Sequence, residues 1–389
     1  MEPKIEVDSL GQPTGLESES VDDSVDIIDE PFDPERIDVI TRNPTIDLLL
    51  SRIRNASIDL QPEFQRLSGI WSERSQSRLI ESLMLRIPLP TLYAAEDENE
   101  RWAIVDGVQR LTTITRFMAP DLIEMPPLRL TRLEYLGGLY DGASFNELPG
   151  RMKTRLSETE LVVHLIRQGT PEEVKFNIFA RLNTGGSPLS PQELRHALIS
   201  GQARDLLRGW AADSPFQIAT GHSIRPERMG DREMVLRFMA FLMTDPNGYS
   251  IRDFDEFLRR TMRRINDLSP DEVEKMESKF TKSMIAAHAI FGDQAFRRSS
   301  LTGVSRSQIN KALFETVSVN LARLESSDLA TLMESRESVV AALHDLAKDI
   351  DFERAISTGT GDPAKVRYRF AVIRRCFLAV IRAQPDPAQ

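Results

Sequence analysis

The feature that most limits how this chain can fold is a change of apolar period at Asp106-Gly107. Before it, Thr91 to Ala95 and Trp102 to Val105 are short apolar runs separated by the polar stretch Glu96-Asp97-Glu98-Asn99-Glu100-Arg101, the pattern of a β-hairpin. After it, Leu111, Ile114, Thr115 and Met118 recur at helical spacing. Strand, tight turn and helix are therefore expected in that order. A glycine between strand and helix lets the backbone approach a ligand, and the amides that follow point outward at a helix N-terminus, which favours a bound phosphate. Arg110 adds a planar fork for phosphate, and Asp106 could orient a water, a hydroxyl or a metal ion. Asp-Gly is also a common turn dipeptide, so taken alone the segment reads first as an ordinary connection.

Around this turn the periodicities predict an α+β chain. Thr45 to Arg54 reads as a helix, and Ile58 to Arg66, interrupted by Pro62, as an edge strand or extended loop. Ser72 suits the N-cap of a helix whose apolar face is Leu79, Ile80, Leu83 and Met84. Leu161 to Ile166 reads as the strand that closes a small mixed sheet. From Pro171 the pattern is mainly helical. Thr170 is placed to cap the first helix, the polar loop Asn183 to Pro188 interrupts, and Ser190-Pro191-Gln192-Glu193 opens the next. The expected organisation is a tail over 1–40, a small α/β domain over about 41–168 and a helical domain over about 169–384.

The formal charge of −10 is concentrated at one end. Residues 1–40 hold 13 Asp and Glu against Lys4 and Arg36, a net of −11, which leaves +1 for the remainder. Such a segment is expected to stay disordered and solvated, because its apolar content is low. The neutral body neither requires nor excludes a nucleic-acid partner. A length of 389 residues is enough for two cores, and no apolar run approaches a membrane span, so a cytoplasmic protein with no membrane contact is expected. The single cysteine, Cys376, lies in the apolar run AVIRRCFLAV and reads as an inert packing thiol.

Several motifs recur together at characteristic separations. These are Pro62-x-Phe64-Gln65-Arg66, Trp71, Leu79-Ile80-Glu81-Ser82-Leu83 with Ile87-Pro88-Leu89-Pro90, and Val105-Asp106-Gly107-Val108-Gln109-Arg110-Leu111. Phe179-Ala180-Arg181-Leu182-Asn183-Thr184-Gly185-Gly186 and Leu189-Ser190-Pro191-Gln192-Glu193-Leu194-Arg195 complete the set. Over about residues 43–200 the chain resembles the N-terminal domain family of GmrSD-type restriction endonucleases. The resemblance implies a ParB/sulfiredoxin-like core, a place in prokaryotic defence against modified or foreign DNA, and an NTP-hydrolysing or modification-sensing module of a kind often fused to an HNH nuclease domain; the cofactor expected with it is an NTP with Mg²⁺. The family's turn is written Asp-Gly-Gln-Gln-Arg; here Val108 replaces the first glutamine, while Asp106, Gly107, Gln109 and Arg110 match. It also implies that Gln65 and Arg66 lie near the turn in a shared anionic pocket.

Asn183-Thr184-Gly185-Gly186 fits two readings, a second wall of that pocket or a helix C-cap followed by an N-cap. His164, His196, His222, His288 and His344 lack zinc-hydrolase spacing and read as packing or surface residues, so no metal site is expected from the chain itself. Basic residues gather at Arg259-Arg260 with Arg263-Arg264, at Arg297-Arg298 with Arg306, and at Lys365, Arg367, Arg369, Arg374 and Arg375. Interleaved acids favour ion-paired helix faces over a DNA track. The expectation is a nucleotide- or phosphate-binding component in which Asp106, Gln109 and Arg110 act on a ligand held by Gln65, Arg66, Gly107 and Asn183. The rivals are a non-catalytic DNA-sensing module for a partner nuclease and a ParB-like nicking nuclease.

Overall fold

The computed structural model describes residues 5–7, 11–19, 37–60, 71–123, 125–182, 189–298 and 307–383. Two compact units divide the chain: Glu30–Leu198, and a discontinuous unit made of Met1–Asp29 with Ile199–Gln389.

The chain begins with two short antiparallel strands of the discontinuous unit, β1 (Ile5–Val7) and β2 (Pro13–Glu17). The continuous unit is built on a sheet of β3 (Val39–Arg42), β4 (Ile58–Asp59), β5 (Leu92–Glu96), β6 (Trp102–Asp106) and β7 (Val163–Ile166), in the order β3-β7-β5-β6-β4. Its helices are α1 (Ile46–Arg54), α2 (Glu73–Met84), α3 (Val108–Met118), α4 (Gly137–Tyr140), α5 (Gly150–Glu158), α6 (Glu172–Leu182) and α7 (Pro191–Leu198). The fold is α+β, as the periodicities require.

Local chemistry explains these elements. Thr45 caps α1 by accepting from the Leu48 amide, and Ser72 caps α2 by accepting from Ser75. The β5–β6 hairpin turns at Asp97, whose Oδ1 accepts from the amides of Asn99 and Arg101 at 2.8 and 2.9 Å. β7 pairs in parallel with β5 and antiparallel with β3, so the sheet is mixed. Leu92, Ala94, Ile104, Val163 and Leu165 from its three central strands are buried. Helix α2 packs on α3 and α5, while α7 packs on β6.

The unit boundary falls at 198/199 rather than at the expected 168/169, so α6 and α7 belong with the sheet. Lys175 of α6 donates to the Glu96 carbonyl at 3.1 Å, and the contact of α7 with β6 fastens the next helix. Thr170 is not the cap expected of it. It is buried, and its hydroxyl accepts from the Asp38 amide at 3.0 Å, next to β3.

The second unit continues with α8 (Gln202–Ala212), α9 (Ser214–Ala219), α10 (Gly230–Met243), α11 (Phe254–Asn266), α12 (Pro270–Phe291), α13 (Lys311–Ala322), α14 (Ser326–Glu334), α15 (Arg336–Leu346), α16 (Ile350–Ser357) and α17 (Pro363–Ala383). Helix α13 is buried along its whole length and α10 over most of it, so these two lie at the centre of the bundle. Among the described residues no helix is long and apolar enough to cross a membrane.

The N-terminal segment departs from the expectation of a disordered tail. Ile309 donates to the Gly15 carbonyl at 3.0 Å, Glu17 donates to the Ile309 carbonyl at 2.9 Å, and Arg225 donates to the Thr14 carbonyl at 2.9 Å. Gly15 sits at φ +92°, and a Cβ there would come within 1.8 Å of the Ser223 carbonyl oxygen, so only glycine fits. Leu16 is completely buried, a contribution of about 1.5–3 kcal/mol. The acids that suggested solvation are partners for buried groups: Glu19 grips Arg237 through Nη2 at 2.5 Å and Nη1 at 3.1 Å, Glu17 accepts from Asn310 at 2.8 Å, and Glu6 meets Lys311 at 2.9 Å. Residues 5–7 and 11–19 are thus an ordered strap, because a segment poor in apolar surface can still dock by neutralising buried cations.

Candidate functional site

The hairpin, α3 and a register shift together build the site. β6 ends at Asp106, Gly107 takes the left-handed conformation at φ +93°, and α3 starts at Val108 with no side-chain cap. A Cβ at Gly107 would lie 2.1 Å from Leu92 Cδ2, so the glycine is required both by its φ and by the closeness of β5. The first intrahelical hydrogen bond runs from Leu111 N to the Gly107 carbonyl, and the amides before it have no helical acceptor.

The side chains of the turn differ in their surroundings. Arg110 is buried; its Nη2 donates to Asp106 Oδ2 at 3.0 Å, and its Nη1 donates to the Pro90 carbonyl. The Asp106 side chain remains 44% exposed. The fork that the sequence offered to phosphate is therefore engaged in clamping the turn to the end of the loop before β5. Val108 is buried, as a valine rather than a glutamine allows. Among the described residues Gln109 Nε2 is a buried donor without a hydrogen-bond partner. Thr112 and Thr113 return their hydroxyls to the carbonyls of Val108 and Gln109, both at 2.7 Å, so they make no demand on the open end.

Between β5 and β6 the pairing passes from Ala94 with Ile104 to Tyr93 with Asp106, skipping Val105. The irregularity re-aims the end of β6, so that Tyr93 stands opposite Asp106. Tyr93 in turn pairs with His164 of β7, their rings 5.2 Å apart, and His164 Nδ1 shares a 3.0 Å hydrogen bond with Thr41 Oγ1 of β3. Thr41, His164, Tyr93 and Asp106 are thus successive register partners across four strands, and all four are at least partly exposed.

With this geometry in place, comparison with protein families matches residues 46–200 to the GmrSD restriction endonuclease, N-terminal domain. This segment is a GmrSD N-terminal domain. Comparison with curated proteins and with solved structures finds no match. The GmrSD N-terminal domain nearly coincides with the sheet-bearing unit, which ends at Leu198, and it marks the chain as a restriction-system component.

Of the residues singled out in the sequence, Asp106, Gly107, Gln109 and Arg110 share the turn. Gln65, Arg66 and Asn183 lie outside the described residues, as does the loop Asn183 to Pro188. In each basic cluster at least one arginine is committed within its own unit, and Arg306 lies outside the described residues. Arg259 is buried against Asp253, Asp255 and Glu256; Arg297 is buried and donates to the Thr220 carbonyl and Ser223 Oγ at 3.0 and 2.8 Å; Arg369 is buried against Glu315. These three arginines make intramolecular contacts in place of the phosphate contacts a DNA track requires. Cys376 is half-buried, and burial pushes its thiol pKa up, away from reactivity.

Two features of the GmrSD N-terminal domain escaped sequence reasoning. Tyr93 gave no signal, because His164 comes from a strand far away in the chain and the register irregularity that sets it opposite Asp106 is not encoded in the spacing. In α7, Gln192, Glu193, Arg195 and His196 are all buried although the stretch reads as a polar surface helix. Ser190 and Glu193 form a reciprocal cap, with Ser190 N donating to Glu193 at 2.5 Å and Glu193 N donating to Ser190 Oγ at 3.1 Å. Gln192 Oε1 accepts from Arg195 Nε at 2.9 Å, which fixes the carboxamide and leaves its buried Nε2 without a partner.

Proposed function

We propose that the turn from Asp106 to Arg110 binds the phosphates of a nucleotide, and that the chain is the nucleotide-handling, NTP-hydrolysing component of its restriction system. The observation that carries this reading is Gln109. Among the described residues its Nε2 is a buried donor with no acceptor, in the first turn of a helix whose leading amides have no helical acceptor. A buried unsatisfied donor costs about 1–3 kcal/mol, and an anionic oxygen at this place would satisfy it. Arg110 acts indirectly, holding Asp106 through Nη2 and the turn through Pro90. Asp106, exposed over 44% of its side chain, is left to orient an attacking water or a cation that enters with the nucleotide. Mg²⁺ bound with the nucleotide would offset phosphate charge.

The test combines thermal shift with phosphate release on the full chain, using purine and pyrimidine nucleoside triphosphates and inorganic tripolyphosphate. Gln109→Leu should leave the ligand-free melting temperature unchanged or raised and reduce the ligand-induced shift. Asp106→Asn should bind and fail to turn over. Binding without turnover by the wild type would favour a regulatory, DNA-sensing role for the same site. No ligand-induced shift with any probe removes the turn from the function.

A further inference from the structure

We propose that Tyr93, backed by His164, is the surface on which the base of that nucleotide stacks; this inference rests on the phosphate reading above. Three observations lead to it. First, the register irregularity between β5 and β6 selects Asp106, not Val105, as the partner of Tyr93, and paired residues on neighbouring strands lie about 5 Å apart at Cα. The ring is therefore rooted beside the residue from which the phosphate-binding turn departs.

Second, the ring is held but not used up. Tyr93 is half-buried and contacts His164 at a centroid separation of 5.2 Å with the planes inclined at 46°, so His164 supports it from one side. His164 is itself fixed by the 3.0 Å hydrogen bond between its Nδ1 and Thr41 Oγ1. The order of support runs inward from β3 through β7 to β5. An aromatic ring of fixed orientation presents a π-face at little entropic cost, which suits stacking of a base.

Third, the next residues on its own face of the hairpin are small. Side chains alternate along a strand, so the β5 neighbour of Tyr93 on that face is Ala95, which pairs with Ala103 of β6, while Leu92 and Ala94 point to the other face. A flat ligand lying along that face would meet the Tyr93 ring beside two alanines. Stacking accepts any base, so the surface adds affinity for nucleosides without choosing among them, and selection of one base would fall to other groups.

The experiment compares binding of a purine nucleoside triphosphate and of inorganic tripolyphosphate by the wild-type chain and by Tyr93→Ala, Tyr93→Leu and Tyr93→Phe. Tyr93→Ala and Tyr93→Leu should weaken nucleotide binding by roughly five- to hundredfold and leave tripolyphosphate binding unchanged, while Tyr93→Phe retains both. The leucine variant keeps apolar bulk in case alanine disturbs the sheet. Equal affinity of wild type and Tyr93→Leu for the nucleotide overturns the stacking surface and leaves the phosphate site standing. Equal loss for both probes assigns Tyr93 a structural role and overturns it as well. A wild-type chain that binds neither probe removes both readings.

Discussion

Arg110 and Asp106 form a clamp one helical turn long: Nη2 of the arginine lies 3.0 Å from Oδ2 of the aspartate, across the left-handed Gly107. The second arm of the same guanidinium reaches the Pro90 carbonyl, so one side chain ties together β6, α3 and the approach to β5. Removing it leaves a backbone carbonyl and a carboxylate without their donor. Arg110→Ala should therefore destabilise the protein by about 1.5–3 kcal/mol, a fall of roughly 3–12 °C in melting temperature. Arg110→Lys, which can serve one acceptor at a time, should fall between the two. A surface arginine would show neither effect, so chemical and thermal denaturation of the three proteins decide the matter.

Gly107→Ala should be costly for a different reason. It places a Cβ at positive φ and 2.1 Å from Leu92 Cδ2, so the buried Leu92 side chain or the turn must move. The expected loss exceeds the roughly 1 kcal/mol that an alanine with positive φ costs by itself. Unfolding in urea gives the value, and a loss below that level would show that the hairpin adapts freely.

Val108→Gln restores the family's usual residue, yet it should lower stability. The valine is 6% exposed, and an amide buried there without partners costs about 1–3 kcal/mol. A well-folded Val108→Gln protein with unchanged melting temperature would mean that the amide finds a hydrogen bond near the turn, and its ligand affinity should then be measured beside that of Gln109→Leu.

Deletion of residues 1–19 should destabilise the helical unit, since it exposes the Leu16 site and takes Glu19 from Arg237, 3% exposed, and Glu6 from Lys311. The pH dependence isolates Glu19. Burial would raise its pKa, but Arg237 and then Lys311 outweigh that, and the folded value lies below the ordinary 4.5. A depressed folded pKa gives stability that is present above about pH 4.5 and is lost as pH falls through the folded value. The gap in melting temperature between wild type and Glu19→Gln should thus be widest near neutral pH and close below 4.5. A gap that stays constant with pH would show that the carboxylate is not held in its charged form.

Much of this protein was legible in the chain. The hairpin, the turn at Gly107 and the caps at Ser72 and Ser190 follow from periodicity and from side chains that bond to amides a few residues away, which sequence spacing encodes directly. The motif set also pointed to the GmrSD N-terminal domain at 46–200. Other features depend on residues far apart in the chain, and only the tertiary structure decided them. That α6 and α7 join the sheet, that Tyr93 rests on His164, and that the acidic start docks as a strap all depend on pairings between distant segments, while the facing of Tyr93 and Asp106 depends on a register irregularity within the hairpin that side-chain spacing does not encode. Charge composition misled at the strap because it counts carboxylates without their partners: Glu19 reads as a solvating group until the fold brings Arg237, 218 positions away, into contact with it. The same holds for Arg110, whose planar fork the sequence supplies and whose acceptors, Asp106 and Pro90, the packing of the hairpin against α3 selects.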